Sequence, residues 1–83
     1  MYKNKTVLIT GASSGLGKHL ALSYAKSHAR IINLSRNKLR MSYLNNRLDM
    51  LNKQNNMFYS VDVSKYDEIV DVKNDLKEKN IIP

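Results

Sequence analysis

The 83-residue chain contains no cysteine and no tryptophan, a single phenylalanine, one proline and three glycines. Without cysteine it has no disulfide, no thiolate metal site and no thiol nucleophile. Its two histidines, His19 and His28, form no ligand cluster, so metal catalysis is not expected. The longest aliphatic runs, Val7 to Ile9 and Leu20 to Leu22, fall far short of the roughly 20 residues of a membrane helix or the roughly 7–15 of a signal-peptide core. The sequence therefore predicts a cytoplasmic protein with no membrane segment and no membrane partner. Phe58 is the only phenylalanine, which leaves the chain without the interleaved aromatic platforms of a single-strand nucleic-acid binder. Proline occurs only at Pro83, so it interrupts no element. A chain of this length buries only about 60–65% of its unfolded surface, which allows one small domain with a thin core and no second domain.

Charge is plentiful but uneven. Residues 1–55 hold ten Lys/Arg and one acid, Asp49, whereas residues 56–83 hold four Lys and six acids, within a net charge of +7. A basic half of this kind attracts RNA, an anionic membrane surface or a phosphorylated small molecule. In a chain rich in lysine and asparagine it equally reads as solvated surface, and nucleic acid is the weaker reading.

Hydrophobic periodicity divides the chain into three strand–helix units. Thr6 to Thr10 is a continuous apolar run suited to a buried parallel strand, and Leu16 to about Ser27 follows as a helix with Leu16, Leu20 and Tyr24 on one face, joined by Ala21 and Ala25. Arg30 to Ser35 is the second strand. Lys38 to about Lys53 is the second helix, with Leu44, Leu48 and Leu51 recurring at helical spacing. After a turn at Asn55-Asn56, Met57 to Val61 forms the third strand. Ser64 is expected to cap a last helix running to about Lys79, with Asp67 and Glu68 in its first turn and Ile69, Val72 and Leu76 as its buried stripe. Alternating strands and helices with short connections require a parallel sheet with right-handed crossovers. Three such units make an α/β mononucleotide-binding half, a partial Rossmann-type fold with three parallel strands in the order 3-2-1.

That topology carries a consequence. In a doubly wound sheet the free side of strand 1 pairs with a fourth strand, and Ile81-Ile82-Pro83 stand where that strand is due. An open apolar edge is an association hazard, so the chain is expected to be a piece of something longer, or to pair through that edge with itself or with a missing C-terminal half.

The most informative segment is Val7-Leu8-Ile9-Thr10-Gly11-Ala12-Ser13-Ser14-Gly15-Leu16-Gly17. A strand that ends in a glycine-rich turn and feeds a helix brings free backbone N–H groups and the positive helix terminus to one point, which suits a pyrophosphate. Gly11 permits the sharp turn, Gly15 lets backbone approach the phosphates, and Gly17 lets the helix pack close to the strand.

The TGASSGLG spacing differs from the GxGxxG of the general dinucleotide fingerprint. It resembles the TGxxxGxG of the short-chain dehydrogenase/reductase family, and the resemblance extends through essentially all of the chain. It implies a dinucleotide cofactor held by Gly11, Ser13, Ser14, Gly15, Leu16 and Gly17. Where NAD-preferring members place an acid at the end of the second strand, this chain has Ser35 followed by Arg36. A guanidinium there meets a 2′-phosphate with charge-assisted bonds, and Ser35 donates another. The resemblance thus implies NADP rather than NAD; the alternative is that Arg36 is a surface cation beside Lys38 and Arg40. Asp62-Val63-Ser64 resembles the family's D-V/L-S/T segment, in which the Asp accepts from the adenine amino group and the next backbone lines the adenine pocket. On its own, Asp62 reads as a helix N-terminal acid, and the two roles are compatible.

Two departures accompany the resemblance. The family's usual Gly between the first helix and second strand is replaced by His28, which tolerates positive φ better than most residues and reads as a structural C-cap cation. His19 reads as a surface residue. The family's proton-transferring Tyr stands four residues before a Lys, but the five tyrosines here are followed at that distance by Thr6, His28, Arg47, Val63 and Val70. The NNAG segment is absent as well. The expected activity of the family is hydride transfer between NADP(H) and a carbonyl or alcohol. This chain supplies no catalytic residue for it and is expected to be inactive alone, with weak cofactor binding at most. The alternative reading is a truncated, non-catalytic nucleotide-binding or protein-interaction module.

Overall fold

In a computed structural model, which describes residues 5–11 and 15–81, six elements follow in the expected order. They are β1 (Thr6–Thr10), α1 (Gly15–Lys26), β2 (Arg30–Ser35), α2 (Lys38–Leu51), β3 (Met57–Ser60) and α3 (Tyr66–Glu78). All strand pairs are parallel and β2 is central, with Val7 opposite Ile31, Leu8 opposite Ile32, and Ile32 opposite Met57. This is the 3-2-1 order required by the alternation.

Because side chains alternate across a strand, β2 contributes to two cores. Ile31 packs with Ala21, Ala25, Ala29, Leu44 and Leu48 under α1 and α2, joined by Val7 and Ile9 of β1. Ile32 and Leu34 pack on the opposite face with Val72 and Leu76 of α3 and with Met57 and Tyr59 of β3. The stripe expected on α3 is therefore the one it buries.

The face of α1 differs from expectation. Ala21 and Ala25 are fully buried, whereas Leu16 and Leu20 are 75% and 44% exposed. The alanine methyls let the helix axis approach the sheet closely, and Leu20 lies about 100° around the helix from Ala21. On α2 the buried residues are Met41, Leu44 and Leu48. Leu51, expected in that stripe, is exposed because the helix ends there and the chain turns away at Asn52.

Helix ends explain much of the local sequence. Ala29 N–H donates to Tyr24 O and His28 N–H to Ala25 O, with His28 at φ 68°. These are the paired bonds of a Schellman turn, and His28 holds the left-handed position as expected. The same pair recurs after α3, from Ile81 to Leu76 and from Asn80 to Lys77, with Asn80 at φ 57°. Ser64 does not cap α3. Lys65 occupies the N-cap without a side-chain bond, while the Ser64 hydroxyl donates to Asp62 Oδ1 at 2.6 Å. The helix begins one residue later than expected, and Asp62 Oδ1, accepting from both the hydroxyl and the backbone N–H of Ser64, holds Ser64 in the turn before it.

A polar clasp closes the end of the sheet opposite the glycine turn. Asn52 Nδ2 donates to both Ala25 O and Ala29 O at 2.9 Å, and its Oδ1 accepts from Gln54 N–H and Asn56 Nδ2. Asn56 Oδ1 in turn accepts the Ile31 N–H at 2.8 Å, and its amide also donates to Asp49. Both asparagines are 6% exposed. They join the end of α1, the start of β2, the end of α2 and the approach to β3.

The expected open edge is present: among the described residues β1 pairs with β2 alone, and Leu8, on the α3 side of the sheet, is 43% exposed. It borders a groove of about 610 Å³, lined mainly by Leu34 and by Ile69, Val72, Leu76 and Ile81 from α3 and its C-terminal turn.

Candidate nucleotide-binding site

Parallel strands deliver their C-terminal ends to a single edge, where loops that are far apart in sequence converge. Gly11 follows β1, Ser35 and Arg36 end β2 and begin its loop, and Val61 to Ser64 follow β3. Two ladder-type bonds hold these exits together, from Gly11 N–H to Leu34 O and from Val61 N–H to Ser35 O, both 2.9 Å. Beyond them opens a cleft of about 340 Å³ lined by Gly11, Leu34, Ser35, Arg36, Val61, Asp62, Val63 and Ser64.

Gly11 and Gly15 adopt φ 69° and 59°. A Cβ at either position would meet nothing within 4 Å, so backbone conformation, not crowding, calls for glycine. Gly15 opens the 12-residue α1, whose first turn carries no acid, so none of its side chains offsets the positive helix end. Leu16 is exposed and Gly17 half-buried in that turn. Ser13 and Ser14 lie outside the described residues.

Across the cleft, Arg36 extends an 80% exposed side chain whose Nη1 lies 3.8 Å from Asp62 Oδ2. Asp62 is fixed from the other side: its Oδ1 accepts from Ser64 Oγ at 2.6 Å and from Ser64 N–H at 3.0 Å. The Ser64 hydroxyl, then its backbone N–H, and to a smaller degree the Arg36 charge hold the Asp62 carboxyl below its ordinary value. The backbone N–H of Asp62 donates to Glu68 at 3.2 Å, which ties the loop to the first turn of α3.

Two supporting residues were not anticipated. Asn37 caps α2 by accepting from Arg40 N–H at 3.0 Å, and Ser60 Oγ donates to Arg36 O at 3.3 Å. The first was legible as an Asn immediately before a helical pattern. The second depends on the β2–β3 pairing and has no local signature. Among the described residues, no group of three or more His, Asp or Glu gathers as a metal site, and no helix is long and apolar enough to cross a membrane.

A central β2 flanked by β1 and β3, helices on both faces and a glycine turn at the start of α1 define part of a Rossmann-type α/β fold, a class whose ligands bind at the carboxyl ends of the strands. Residues 5–80 match the family described as short chain dehydrogenase. The chain is 38% identical over 66 residues to 11-beta-hydroxysteroid dehydrogenase B of Sesamum indicum, covering 80% of this chain and 18% of that protein. It is 40% identical over 77 residues to dehydrogenase/reductase SDR family protein 7-like of Dictyostelium discoideum, covering 90% and 21%. The L-sorbose reductase of Gluconobacter frateurii, solved in complex with NADPH and L-sorbose, superposes on 92% of the chain with a TM-score of 0.84 and 26% identity, covering 29% of that protein. The chain belongs to the short-chain dehydrogenase/reductase family, which binds nicotinamide dinucleotides, and it spans about a fifth of the length of these two curated relatives.

Proposed function

We propose that residues 1–83 form the N-terminal half of the cofactor domain of an NADP(H)-dependent oxidoreductase and hold the adenosine end of the dinucleotide. The observation that carries this reading is the pairing of Arg36 with Asp62 across one cleft, with Ser35, not an acid, at the end of β2. The donor set suits a 2′-phosphate. Arg36 is exposed and free to turn onto it with two parallel N–H bonds, and no carboxylate stands at the strand end to repel it. Asp62, held in place by Ser64, is positioned as an acceptor for the adenine amino group. In this reading the pyrophosphate sits at Gly11 and the N-terminus of α1 at Gly15, where the helix end is positive. When bound, the cofactor supplies hydride transfer to or from a carbonyl or alcohol; the residues of this chain bind and orient it. The NADPH complex of the Gluconobacter frateurii relative accords with this preference.

The test compares 2′,5′-ADP with 5′-AMP, followed by amide chemical shifts of Arg36, Asp62 and Val63 so that weak binding is still measurable. Losing the charge-assisted contacts in Arg36→Asp is expected to weaken 2′,5′-ADP by roughly 10- to 100-fold while changing 5′-AMP by less than about threefold. Equal loss for both ligands would mean that Arg36 never meets the 2′-phosphate.

A further inference from the structure

The helix α2 is apolar on two opposite sides. Met41, Leu44 and Leu48 face the core, while Leu39, Tyr43 and Met50 are 70%, 70% and 86% exposed. At 100° per residue those three fall within about 40° of one another, a stripe some 16 Å long on the side away from the sheet, with the exposed Asn46 between Tyr43 and Met50. Arg40 and Arg47 run along its flank. Beside Met50, a shallow recess of about 210 Å³ between α1 and α2 is lined by Leu22 and Leu51, with Lys26 and Arg47 beside them.

Charge is sorted by the sheet. The α1 and α2 helices carry Lys18, Lys26, Lys38, Arg40 and Arg47 against one acid, Asp49, which already accepts a bond from Asn56. The opposite layer, α3, carries Asp67, Glu68, Asp71, Asp75 and Glu78. Because α2 packs over β2 and β3, its outer stripe lies away from the edge of β1 where a further strand would pair.

Against the expectation of no membrane partner, which rested on the lack of a spanning segment, we propose that the outer face of α2, with the adjoining end of α1, docks on an anionic lipid bilayer surface. Protruding Leu, Met and Tyr side chains beside cations are what an interfacial helix inserts among headgroups, the cations meeting lipid phosphate while the apolar groups enter the acyl boundary. RNA fits less well, since it rewards stacked aromatics and the stripe holds one. A second copy fits less well too. The acidic face it could offer, the outside of α3, exposes Asp67, Asp71, Lys73, Asn74, Lys77 and Glu78, with Tyr66 as its one exposed large apolar side chain and no apolar stripe.

The experiment is co-sedimentation of the full chain with phosphatidylcholine vesicles, with and without about 30% phosphatidylserine, near 50 and near 200 mM salt. Binding is expected only with the anionic lipid, weakening as salt rises. Leu39→Ser combined with Met50→Ser is expected to lower it about tenfold or more at unchanged far-UV circular dichroism. Arg47→Glu should cost about fivefold or more, and Lys73→Ser with Lys77→Ser on the opposite layer nothing. Tyr43→Ser serves as a milder variant if the double change disturbs folding. Equal binding to neutral vesicles, no binding to anionic ones, or indifference to the stripe variants overturns the proposal. So does concentration-dependent self-association lost with the stripe, which makes the face a contact between copies, or oligonucleotide binding in place of vesicle binding.

Discussion

Replacing Asn52 with Ala should cost this small fold a large share of its stability, although the residue lies far from the candidate site. Its side chain makes four hydrogen bonds, two donated to Ala25 O and Ala29 O and two accepted from Gln54 N–H and Asn56 Nδ2. At a net value near 1 kcal/mol for each bond, partly recovered where Ala25 O still accepts from His28 N–H and Asn56 still reaches Asp49, the loss is about 2–4 kcal/mol. A domain of this length has about 4–12 kcal/mol in total. With a urea m-value near 1 kcal/mol/M, the midpoint should fall by about 2–4 M, monitored by far-UV circular dichroism because the chain has no tryptophan. Asn52→Asp should be worse than Asn52→Ala, since it sets a carboxylate oxygen against two carbonyls instead of leaving space that water can enter. A midpoint shift under about 0.5 M, or an Asp variant milder than the Ala variant, would show that the clasp does not hold α1, β2 and α2 together.

Other outcomes follow from the same geometry. His28→Gly should stabilise the chain by about 0.5–1 kcal/mol, read as a higher Tm, because glycine removes the left-handed strain at φ 68° and returns part of the gain as chain entropy; a lower Tm would give the imidazole a role beyond the turn. Asp75 joins Tyr59 Oη at 2.5 Å and Lys79 Nζ at 2.7 Å. The Lys79 bond, then the Tyr59 bond, hold the Asp75 carboxyl below its ordinary value, so this contribution is fully present above the unfolded carboxylate value and is lost as pH falls through the folded one. Burial first, then Asp75, raise the Tyr59 phenol, and Asp75 raises the Lys79 ammonium, so their contributions are present below the ordinary values and lost as pH rises through the raised ones. Asp75→Asn should therefore flatten both the acid and the alkaline limb of a Tm–pH profile; flattening of one limb alone would mean that the three groups do not act together.

Strand positions were legible because each apolar run ends at turn or helix-start residues, and the ranges of β1 and β2 coincide with the expected ones. The joining of Gly11, Ser35, Arg36, Asp62 and Val63 around one cleft was legible for a topological reason: parallel strands bring every C-terminal loop to the same edge. The core face of α1 was not legible. Periodicity weights Leu16 and Leu20 above Ala21 and Ala25, whereas close helix–sheet approach selects the smaller residues. Ser64 misled because the helix starts at Tyr66, one residue late for it to cap, and its hydroxyl and N–H both donate to Asp62 in the preceding turn. Asn52 read as part of the second helix and Asn56 as a turn residue, and nothing near them reveals carbonyl and amide partners more than 20 residues away.

The central strand is the most protected part of the molecule: Ile31 and Ile32 are fully buried, and β2 is paired on both sides. On β1, paired on one side only among the described residues, Leu8 is 43% exposed. Local opening should therefore begin at β1, with amide exchange there orders of magnitude faster than in β2. The glycine turn hangs from that first-opening strand. A phosphate seated at Gly11 and the start of α1 would consolidate the weakest edge of the sheet, so occupancy should register as slowed exchange along Thr6–Thr10 well before global unfolding changes.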